Sequence, residues 1–357
     1  MTDPRIGEVV QGRYRIAEPL AAGAMGLVYR GERLALGRPV AIKFLHAAIA
    51  ADPAVRARFE GEARAASRMN HPNVVGVIDC GSHHGAPSVV MELVRGRSLR
   101  AILDDGSIAA PRALRLIHQV LAGLAHAHAH GVIHRDLKPE NILVWSDELG
   151  EHAQIADFGL AKRLDALAVS QNLAIGTPSY MSPEQTLGLP VDARSDLYAV
   201  GVLLFELLAD RKPFHSPYMF ETLKMHRDAP VPWFSDIAPE RAIPAELEGV
   251  VRRALAKEPA GRYRSAAYFA VALDDAMLSA RDHSNETDLR ELLAASKHRR
   301  RWRYVAVLAA LVAGAYLTRM KLYEVSGGAR VISDTARHEQ YRDPDSRRQS
   351  PDGVLGQ

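Results

Sequence analysis

The sequence contains one cysteine, Cys80, among 357 residues. A single cysteine excludes an intrachain disulfide and any zinc cluster built from cysteines. Neither sign of charge dominates, since the formal net charge is +3, which is too small by itself to indicate a nucleic-acid partner. The first eleven residues carry Asp3, Arg5 and Glu8 and no apolar core, so we expect no secretory signal. These absences favour a cytoplasmic main body.

The composition is otherwise ordinary for a globular protein, with 47% hydrophobic and 24% charged residues, and the most informative feature is a short polar motif. Residues 134–141 read HRDLKPEN, between a helical pattern at 111–130 and an apolar strand at 142–144. DFG follows at 157–159, after another short strand at 154–156. Two acids and an amide oxygen that converge on one place suit Mg²⁺, a hard cation that takes oxygen ligands and shares them with phosphates.

Together these two motifs resemble those of the eukaryotic-like protein kinases, the bacterial serine/threonine kinases among them. The resemblance covers residues 14–278, behind an N-terminal extension at 1–13. It implies an α+β fold in two lobes, a small antiparallel β-sheet lobe with one helix at 14–92 and a larger, mainly α-helical lobe at 97–278. ATP and Mg²⁺ are expected in the cleft between the lobes.

The resemblance assigns a chemical role to four residues of these motifs. Asp136 is expected to accept or orient the proton of the attacking hydroxyl, and Lys138 to stabilise the γ-phosphate as charge develops. Asn141 and Asp157 are expected to bind Mg²⁺ through an amide oxygen and a carboxylate. A lysine at position 138 resembles serine/threonine kinases, because tyrosine kinases usually carry an arginine nearby.

The nucleotide site is expected to begin at residues 21–26, AAGAMG, which keep two of the three glycines of the kinase glycine-rich loop. Glycines there let backbone N–H groups close over phosphate oxygens, and Ala21 in place of the first glycine predicts weaker nucleotide affinity. Lys43, in the strand VAIK at 40–43, matches the lysine that holds the α- and β-phosphates. The resemblance assigns the remaining nucleotide contacts to Leu20, Gly23, Gly26, Val28, Ala41, the gatekeeper Met91, and the hinge backbone at Glu92 and Val94.

A helical pattern at 53–69 supplies the expected partner of Lys43. Its stripe consists of residues spaced 4, 3, 4 and 3 apart, namely Val55, Phe59, Glu62, Ala66 and Met69. Glu62 falls in the middle of that stripe, and a buried carboxylate needs a partner. The resemblance implies a Lys43–Glu62 ion pair that the family requires for activity. Glu60 falls on a different face, and the alternative that Glu62 lies at the edge of the stripe stays open.

The motif GTPSYMSPE at 176–184 resembles the kinase segment that receives the protein substrate. Thr177 is expected to contact the catalytic loop and to help shape the site for Ser or Thr acceptors. Glu184 is expected to pair with a buried arginine, for which Arg262 is the best candidate. The segment before this motif offers one hydroxyl, Ser170. We expect either that a Ser170 phosphate pairs with the arginine at 135 or that the segment orders without phosphate.

Two further expectations concern helices. The segment 195–210 is apolar almost all round, which predicts a buried helix with Ser195 as its N-cap. Asp196, in its first turn, is expected to anchor the backbone of the catalytic loop. His126 and His130 are four residues apart near the end of the pattern at 111–130. We interpret them as partners of the helix dipole, because no third ligand for a metal is in view.

Beyond residue 278 the sequence changes character. A linker at 279–303 ends in a dense basic run, and 304–318 hold fifteen residues without a charge. As a helix this stretch spans about 22 Å, short of the roughly 30 Å hydrocarbon core, but flanking arginines and aromatic residues could lengthen it. We expect a single transmembrane helix in the lipid bilayer that leaves the kinase domain in the cytoplasm, and a disordered tail at 319–357. A buried soluble helix is the alternative.

The sequence therefore predicts a serine/threonine protein kinase that transfers the γ-phosphate of ATP to protein substrates and to itself, with a homodimer as the arrangement for trans-autophosphorylation. No nucleic-acid partner is expected. The alternative is a pseudokinase or scaffold that binds nucleotide without efficient transfer, favoured by Ala21 and the sparse activation segment. A third reading, a small-molecule phosphotransferase, is disfavoured by the protein-substrate motif at 176–184.

Overall fold

The structure, a computed structural model, describes residues 3–23, 26–158 and 178–280. The chain divides into two units, Met1–His283 and Ser284–Gln357, and the second unit lies outside the described residues. The predicted transmembrane segment at 304–318 belongs to that second unit. In the described part of the chain, no helix has the length and apolarity needed to cross a membrane.

The smaller lobe is built on six antiparallel strands, which are β1 (Val9–Val10), β2 (Tyr14–Gly23), β3 (Gly26–Arg33), β4 (Arg38–Leu45), β5 (Val77–His83) and β6 (Ala86–Glu92). In space they follow the order β1-β2-β3-β4-β6-β5. Val9 pairs with Arg15 of β2, so the predicted extension at 1–13 contributes a strand to this lobe.

Side-chain alternation along β4 divides the core of the smaller lobe into two apolar clusters. Val40, Ile42 and Phe44 belong to one cluster. Ala41 and Leu45 belong to the other, which a helix on that face covers. Lys43 lies between Ala41 and Leu45 on this second face, because side chains two residues apart point the same way.

The helices and the second sheet follow in chain order. The helices are α1 (Ala47–Ala50), α2 (Pro53–Ala66), α3 (Leu99–Asp104), α4 (Ala110–Ala129), α5 (Pro183–Thr186), α6 (Ala193–Ala209), α7 (Met219–Asp228), α8 (Phe234–Ile237), α9 (Ala245–Ala254) and α10, described over 266–280. The three-stranded sheet consists of β7 (Arg97–Ser98), β8 (Ile142–Asp147) and β9 (Gly150–Ile155).

The larger lobe has α4 and α6 in its core. The α4 positions at helical core spacing are all buried, namely Leu114, Ile117, Leu121 and Leu124. Helix α6 is buried along almost its whole length, as its nearly uniform apolar sequence predicts. The two-lobed α+β fold, a small antiparallel sheet lobe with a larger helical lobe, is confirmed.

The prediction of Ser195 as the N-cap of α6 is wrong. The cap is Asp192, whose carboxylate accepts the Arg194 N–H at 2.7 Å, and the helix therefore begins at Ala193. Ser195 instead donates its Oγ–H to Glu184 Oε1 at 2.5 Å. A buried carboxylate needs such donors more than a helix end that another side chain already caps.

Candidate active site

A β-hairpin brings the two predicted metal ligands together. Asn141 directly precedes β8, Asp157 follows shortly after β9, and the strands pair Ile142 with Ile155. The Ala156 N–H also donates to the Asn141 carbonyl at 2.9 Å. The amide of Asn141 and the carboxylate of Asp157 therefore lie at the same end of the hairpin. This placement of two oxygen ligands fits a shared Mg²⁺ ion.

Asp196 anchors the backbone of the catalytic loop at 134–141. This carboxylate accepts the backbone N–H of His134 at 2.8 Å and that of Arg135 at 2.7 Å, and His128 Nε2 lies 2.8 Å away. Burial favours the neutral acid, but the hydrogen bonds and the nearby imidazole hold the Asp196 pKa below its ordinary value. Arg135 has φ +70°, a left-handed conformation that a non-glycine residue keeps only when its surroundings fix it. The predicted anchoring role of Asp196 is confirmed.

Asp136 is held at the mouth of the cleft by its neighbours in the loop. Lys138 Nζ lies 2.8 Å from Asp136 Oδ2. Asn141 Nδ2 donates to the Asp136 carbonyl at 2.7 Å and contacts Oδ2 at 3.4 Å. Because Asn141 uses its amide nitrogen here, its Oδ1 is the atom left to bind a cation. The Asp136 side chain is 36% exposed, so an incoming hydroxyl can reach it.

Lys43 forms an ion pair with Asp157, and Nζ lies 2.9 Å from Oδ1. The Lys43 side chain is 9% exposed and Asp157 has φ +61°, so both groups are held in a constrained position. Burial favours the neutral form of Asp157, but the ammonium of Lys43 outweighs it and keeps the pKa of the carboxyl below its usual range.

The expected ion pair was Lys43–Glu62, but among the residues that the structure describes Lys43 pairs with Asp157. The buried positions of α2 include Phe59, Ala63 and Ala66, while Glu62 is only half-buried. The centre of the buried face is therefore Ala63, one residue later than predicted, and Glu62 lies beside the apolar stripe. Its carboxylate instead acts on Arg135, where it opposes the lowering of the guanidinium pKa by burial.

The predicted adenine contacts share the Lys43 face of the sheet. Val28 lies opposite Lys43 across β3 and β4, and Ala41 lies opposite Met91 across β4 and β6. Val94 packs against the same apolar cluster. The Glu92 N–H donates to the Gly76 carbonyl at 2.9 Å and is therefore already used within the protein. Leu20, at 46% exposure, lies in β2 before the glycine-rich loop.

Sequence reasoning missed Leu143 of β8. This residue packs against the cluster that contains Ala41 and Met91 and so reaches it from the other lobe. Strand alternation was the available signal. Ile142 and Val144 are buried in the core of the larger lobe, so the residue between them must point to the opposite side, into the cleft.

The two retained glycines of the glycine-rich loop are not equivalent. A Cβ atom on Gly26 would clash with the Phe44 carbonyl of β4, whereas a Cβ on Gly23 would make only an ordinary van der Waals contact, 3.9 Å from the Gly26 carbonyl oxygen. The Gly23 carbonyl lies 3.0 Å from His46 Nε2, a hydrogen-bond partner that the sequence did not indicate. Gly26 is therefore required by the close approach of two strands, in addition to any contact with phosphate.

The predicted Glu184–Arg262 pair is confirmed. Two guanidinium nitrogens of Arg262 each donate to one Glu184 oxygen at 2.7 Å, and the side chains are 0% and 8% exposed. Burial raises the Glu184 pKa, but Arg262 and the Ser195 hydroxyl lower it further, so the net shift is downward. Gln185, which the sequence did not single out, donates to the Arg135 carbonyl at 2.7 Å and ties α5 to the catalytic loop. Thr177 and Ser170 lie outside the described residues.

His126 and His130 gain a neighbour that the sequence did not reveal. The His71 ring lies 5.1 Å from the His126 ring, which lies 4.4 Å from the His130 ring. His130 Nδ1 is hydrogen-bonded to the His126 carbonyl at 2.8 Å at the end of α4. The His71 and His130 rings are tilted by 30° and 41° relative to the His126 ring.

Residues 14–271 match the protein kinase domain family. The chain is 43% identical over 270 residues to the serine/threonine-protein kinase pkn2 of Myxococcus xanthus, a match that covers 74% of this chain and 32% of pkn2. It is 36% identical over 263 residues to the serine/threonine-protein kinase PrkC of Bacillus subtilis, covering 73% of this chain and 40% of PrkC.

The fold also matches a solved structure. The crystal structure of the Mycobacterium tuberculosis PknI kinase domain superposes with a TM-score of 0.62 and 30% sequence identity, over 76% of this chain and 98% of that domain. The curated relatives are longer than the region they share with this chain. The match spans 32%, 40% and 50% of three Myxococcus xanthus kinases, so the shared region is at most half of those proteins.

Proposed function

Because this chain belongs to the protein kinase family, we propose that it transfers the γ-phosphate of ATP to serine and threonine hydroxyls of protein substrates. The observation that carries the proposal is the arrangement of the catalytic loop. Asp136 is accessible at the mouth of the cleft, Lys138 lies 2.8 Å from it, and Asn141 fixes both the loop backbone and its own ligand oxygen. This arrangement of an exposed carboxylate, an ammonium and an amide supports phosphoryl transfer to a hydroxyl.

Each residue of the catalytic loop has a separate role in the proposed transfer. The Asp136 carboxylate accepts a hydrogen bond from the acceptor hydroxyl and aims its oxygen at the phosphorus. The Lys138 ammonium lies close to Asp136, where it can stabilise the negative charge that develops on the oxygens of the transferred phosphoryl group. When bound by Asn141 and Asp157, Mg²⁺ neutralises phosphate charge. The Arg135 backbone is left-handed and its N–H donates to Asp196, which holds Asp136 in a fixed position in the cleft.

The Lys43–Asp157 ion pair joins the two residues expected to hold the phosphates and the cation. Lys43 would bind phosphate oxygens and Asp157 would bind the cation, and each of these charges needs a counter-ion when it is buried. In the structure they neutralise each other across 2.9 Å. With the magnesium nucleotide present, Lys43 would gain a phosphate partner and Asp157 would gain the cation as a partner.

Serine and threonine as acceptors are supported by Lys138 and by the names of the curated relatives, which are serine/threonine-protein kinases. Protein rather than small-molecule substrates are supported by the buried Glu184–Arg262 pair. That pair fixes the end of the segment at 176–184 against the body of the larger lobe, where a polypeptide acceptor would lie. Autophosphorylation between two copies of the chain is part of the same proposal.

Association with a lipid bilayer through residues 304–318 is a separate proposal. It is supported by the fifteen uncharged residues and by the basic run before them. Cell fractionation of the chain with and without 304–318 tests it. Membrane recovery of both forms, or of neither, contradicts the proposal.

The phosphotransfer proposal is tested by comparing wild type with Asp136→Asn on a generic protein substrate and labelled ATP. We expect kcat to fall about 10²–10⁴-fold while binding of magnesium nucleotide is retained. Asp236→Asn, at an exposed position of α8, is the control and should match wild type. Equal transfer by wild type and Asp136→Asn contradicts the proposal. Wild type that binds magnesium nucleotide but transfers nothing identifies a pseudokinase.

A further inference from the structure

Two histidines and a glutamate converge on the smaller lobe, on side chains that the catalytic site does not use. His83 Nε2 lies 2.9 Å from Glu8 Oε2, and His84 Nε2 lies 4.0 Å from Glu8 Oε1. One ligand atom from each of the three residues lies within 4.8 Å of the other two. Among the described residues, this is the one group of three or more His, Cys, Asp or Glu side chains that meets that spacing.

The three residues come from opposite edges of the six-stranded sheet. Glu8 directly precedes β1, at one end of the strand order, and His83 ends β5, at the other end. The sheet curls so that these edges lie close together. Two hydrogen bonds show this: the Tyr14 hydroxyl donates to Asp79 of β5 at 3.0 Å, and Gln11 Nε2 donates to the Ser88 hydroxyl at 3.3 Å. Glu8 and His83, which are 75 residues apart in the chain, join the same two edges of the sheet.

The backbone of the β5–β6 turn places the two imidazoles side by side. His83 pairs with Ala86, and the two residues between them, His84 and Gly85, have φ +49° and +76°. Asparagine, aspartate and glycine are the usual residues of such a turn. A histidine there accepts a less favourable backbone conformation, and its ring centroid lies 4.2 Å from that of His83.

The cluster combines a fixed part with a movable part. The His83 side chain is 15% exposed and its ring lies 6.3 Å from the Phe44 ring. Glu8 is 34% exposed, and its ion pairs in the described part of the chain are with these histidines and with no lysine or arginine. The His84 side chain is 75% exposed, so its rotation is opposed by few neighbouring atoms. Two ligands are therefore positioned in advance, and the third can close on a bound ion.

We propose that Glu8, His83 and His84 bind Zn²⁺ or another late first-row divalent ion, with water in the remaining position. Two imidazole nitrogens and one carboxylate oxygen suit such ions, whereas Mg²⁺ and Ca²⁺ take oxygen ligands. Tetrahedral Zn²⁺ with bonds of about 2.0–2.1 Å needs its ligand atoms roughly 3.3 Å apart. The Glu8–His83 distance already allows this, and rotation of His84 supplies the rest.

A bound ion would fasten the segment before β1 to the hairpin of β5 and β6. Ligands that bind the folded state and not the unfolded state stabilise the fold, so the smaller lobe should resist unfolding more strongly with the ion than without it. This site is separate from the cleft between the lobes and does not depend on the proposed kinase activity. Its consequence is structural, a metal-dependent closure of the sheet.

The test uses the full chain without a histidine tag, because the sequence already contains 15 histidines. Zn²⁺ is titrated by calorimetry in excess Mg²⁺, which occupies oxygen-only sites. Co²⁺ absorption in the visible range then reports nitrogen ligands and tetrahedral geometry. We expect one high-affinity site, an intense Co²⁺ spectrum and a higher unfolding temperature with Zn²⁺.

His84→Ala is the decisive variant, since its exposed side chain can be removed with little effect on folding. It should weaken Zn²⁺ binding by about tenfold or more and abolish both the intense spectrum and the thermal shift. Glu8→Gln should also weaken binding, because it removes the charge and keeps the side-chain shape. His215→Ala, at an exposed position of the larger lobe, is the matched control and should bind like wild type. Failure of wild type to bind, or equal binding by wild type and His84→Ala, overturns the proposal.

Discussion

Lys43 Nζ lies 2.9 Å from Asp157 Oδ1, so the residue expected to hold nucleotide phosphates and the residue expected to hold the metal serve as each other's counter-ion. The pair joins β4 of the smaller lobe to the residue that follows β9 of the larger lobe. Nucleotide and metal that bind to these two residues would therefore compete with an existing contact between the lobes. The linkage predicts that nucleotide and metal bind together more strongly than either binds alone.

Asp157→Asn should remove the metal dependence of nucleotide binding. Wild type is expected to bind ATP more tightly with Mg²⁺ than without it, because only then do both members of the Lys43–Asp157 pair gain a new partner. The asparagine variant lacks the charged ligand, so its affinity should be about equal with and without Mg²⁺ and transfer should be lost. Calorimetry with and without Mg²⁺ measures both values. A variant that keeps the full Mg²⁺ effect would show that Asp157 does not hold the metal.

Glu184→Gln should destabilise the larger lobe by about 3–5 kcal/mol, because it leaves the guanidinium of fully buried Arg262 without its charged partner. The control is Glu18→Gln, which breaks the Arg30–Glu18 pair, whose side chains are 49% and 54% exposed. That exposed pair should contribute less than about 1 kcal/mol. Urea unfolding of the two variants and wild type gives the comparison. Equal losses in both variants would contradict the assignment of Glu184–Arg262 as a buried structural pair.

Asp196→Asn should lower kcat by about a hundredfold with a smaller effect on the KM for ATP, because the backbone of Arg135 loses its charged acceptor and Asp136 is no longer held in place. Asp192→Asn is the matched control at the start of the same helix. Asp192 caps α6 at a position where its side chain is 61% exposed and contacts no part of the catalytic loop in the described residues. Steady-state kinetics of both variants measures the effect, and an unchanged kcat in Asp196→Asn would refute the positioning role.

Gly26→Ala and Gly23→Ala should have different consequences although both glycines belong to one motif. A methyl group on Gly26 clashes with the Phe44 carbonyl, so we expect a loss of stability of about 1–3 kcal/mol. A methyl group on Gly23 makes only a van der Waals contact with the Gly26 carbonyl oxygen at 3.9 Å, and stability should change by less than about 0.5 kcal/mol. Thermal and urea unfolding separate the two. Equal stabilities would show that β3 and β4 can move apart at this point.

Acid should destabilise the larger lobe through His226. This side chain is buried beside Tyr198 and Phe214, and burial, with the nearby cation of Lys257, lowers its pKa to about 3. The unfolded chain binds a proton near pH 6.5 while the folded chain does not, so the contribution is complete above that pH and is lost as the pH falls toward 3. The loss between pH 7 and pH 5 should be about 2 kcal/mol.

Urea unfolding at pH 7 and pH 5 measures this loss. His226→Asn, which cannot take up a proton, should show a smaller difference between the two pH values than wild type, whatever its absolute stability. His215→Ala, exposed in the same lobe, should behave like wild type. The same pH difference in His226→Asn and wild type would assign the acid sensitivity to other groups.

Two anchoring contacts of the larger lobe were predictable. The resemblance to protein kinases implied the Glu184–Arg262 pair, and Asp196 in the first turn of an apolar helix was expected to anchor the catalytic loop. The position of Glu62 on α2 was not predictable in the same way. Successive residues of a helix point about 100° apart, and the apolar pattern around Phe59 allowed either residue 62 or residue 63 to face the core. The structure places Ala63 at the centre instead.

Contacts that depend on the curvature of a sheet were also out of reach. Nothing in the spacing of Glu8 and His83 indicates that they meet, since the two lie on strands at opposite ends of the sheet order. Leu143 was within reach, because alternation along β8 determines its direction. The sequence thus predicted the fold class and the catalytic loop more fully than the side chains that join one edge of the sheet to the other.

The curled sheet of the smaller lobe has a consequence for how other proteins can bind it. An open edge strand exposes unpaired N–H and C=O groups on which a foreign strand can grow. Here β1 is only two residues long, and side chains from its end of the sheet reach across to β5 through Tyr14–Asp79 and Glu8–His83. The smaller lobe therefore offers few unpaired backbone groups to which a foreign strand can bind. We expect a protein that binds this lobe to contact its side chains rather than its backbone.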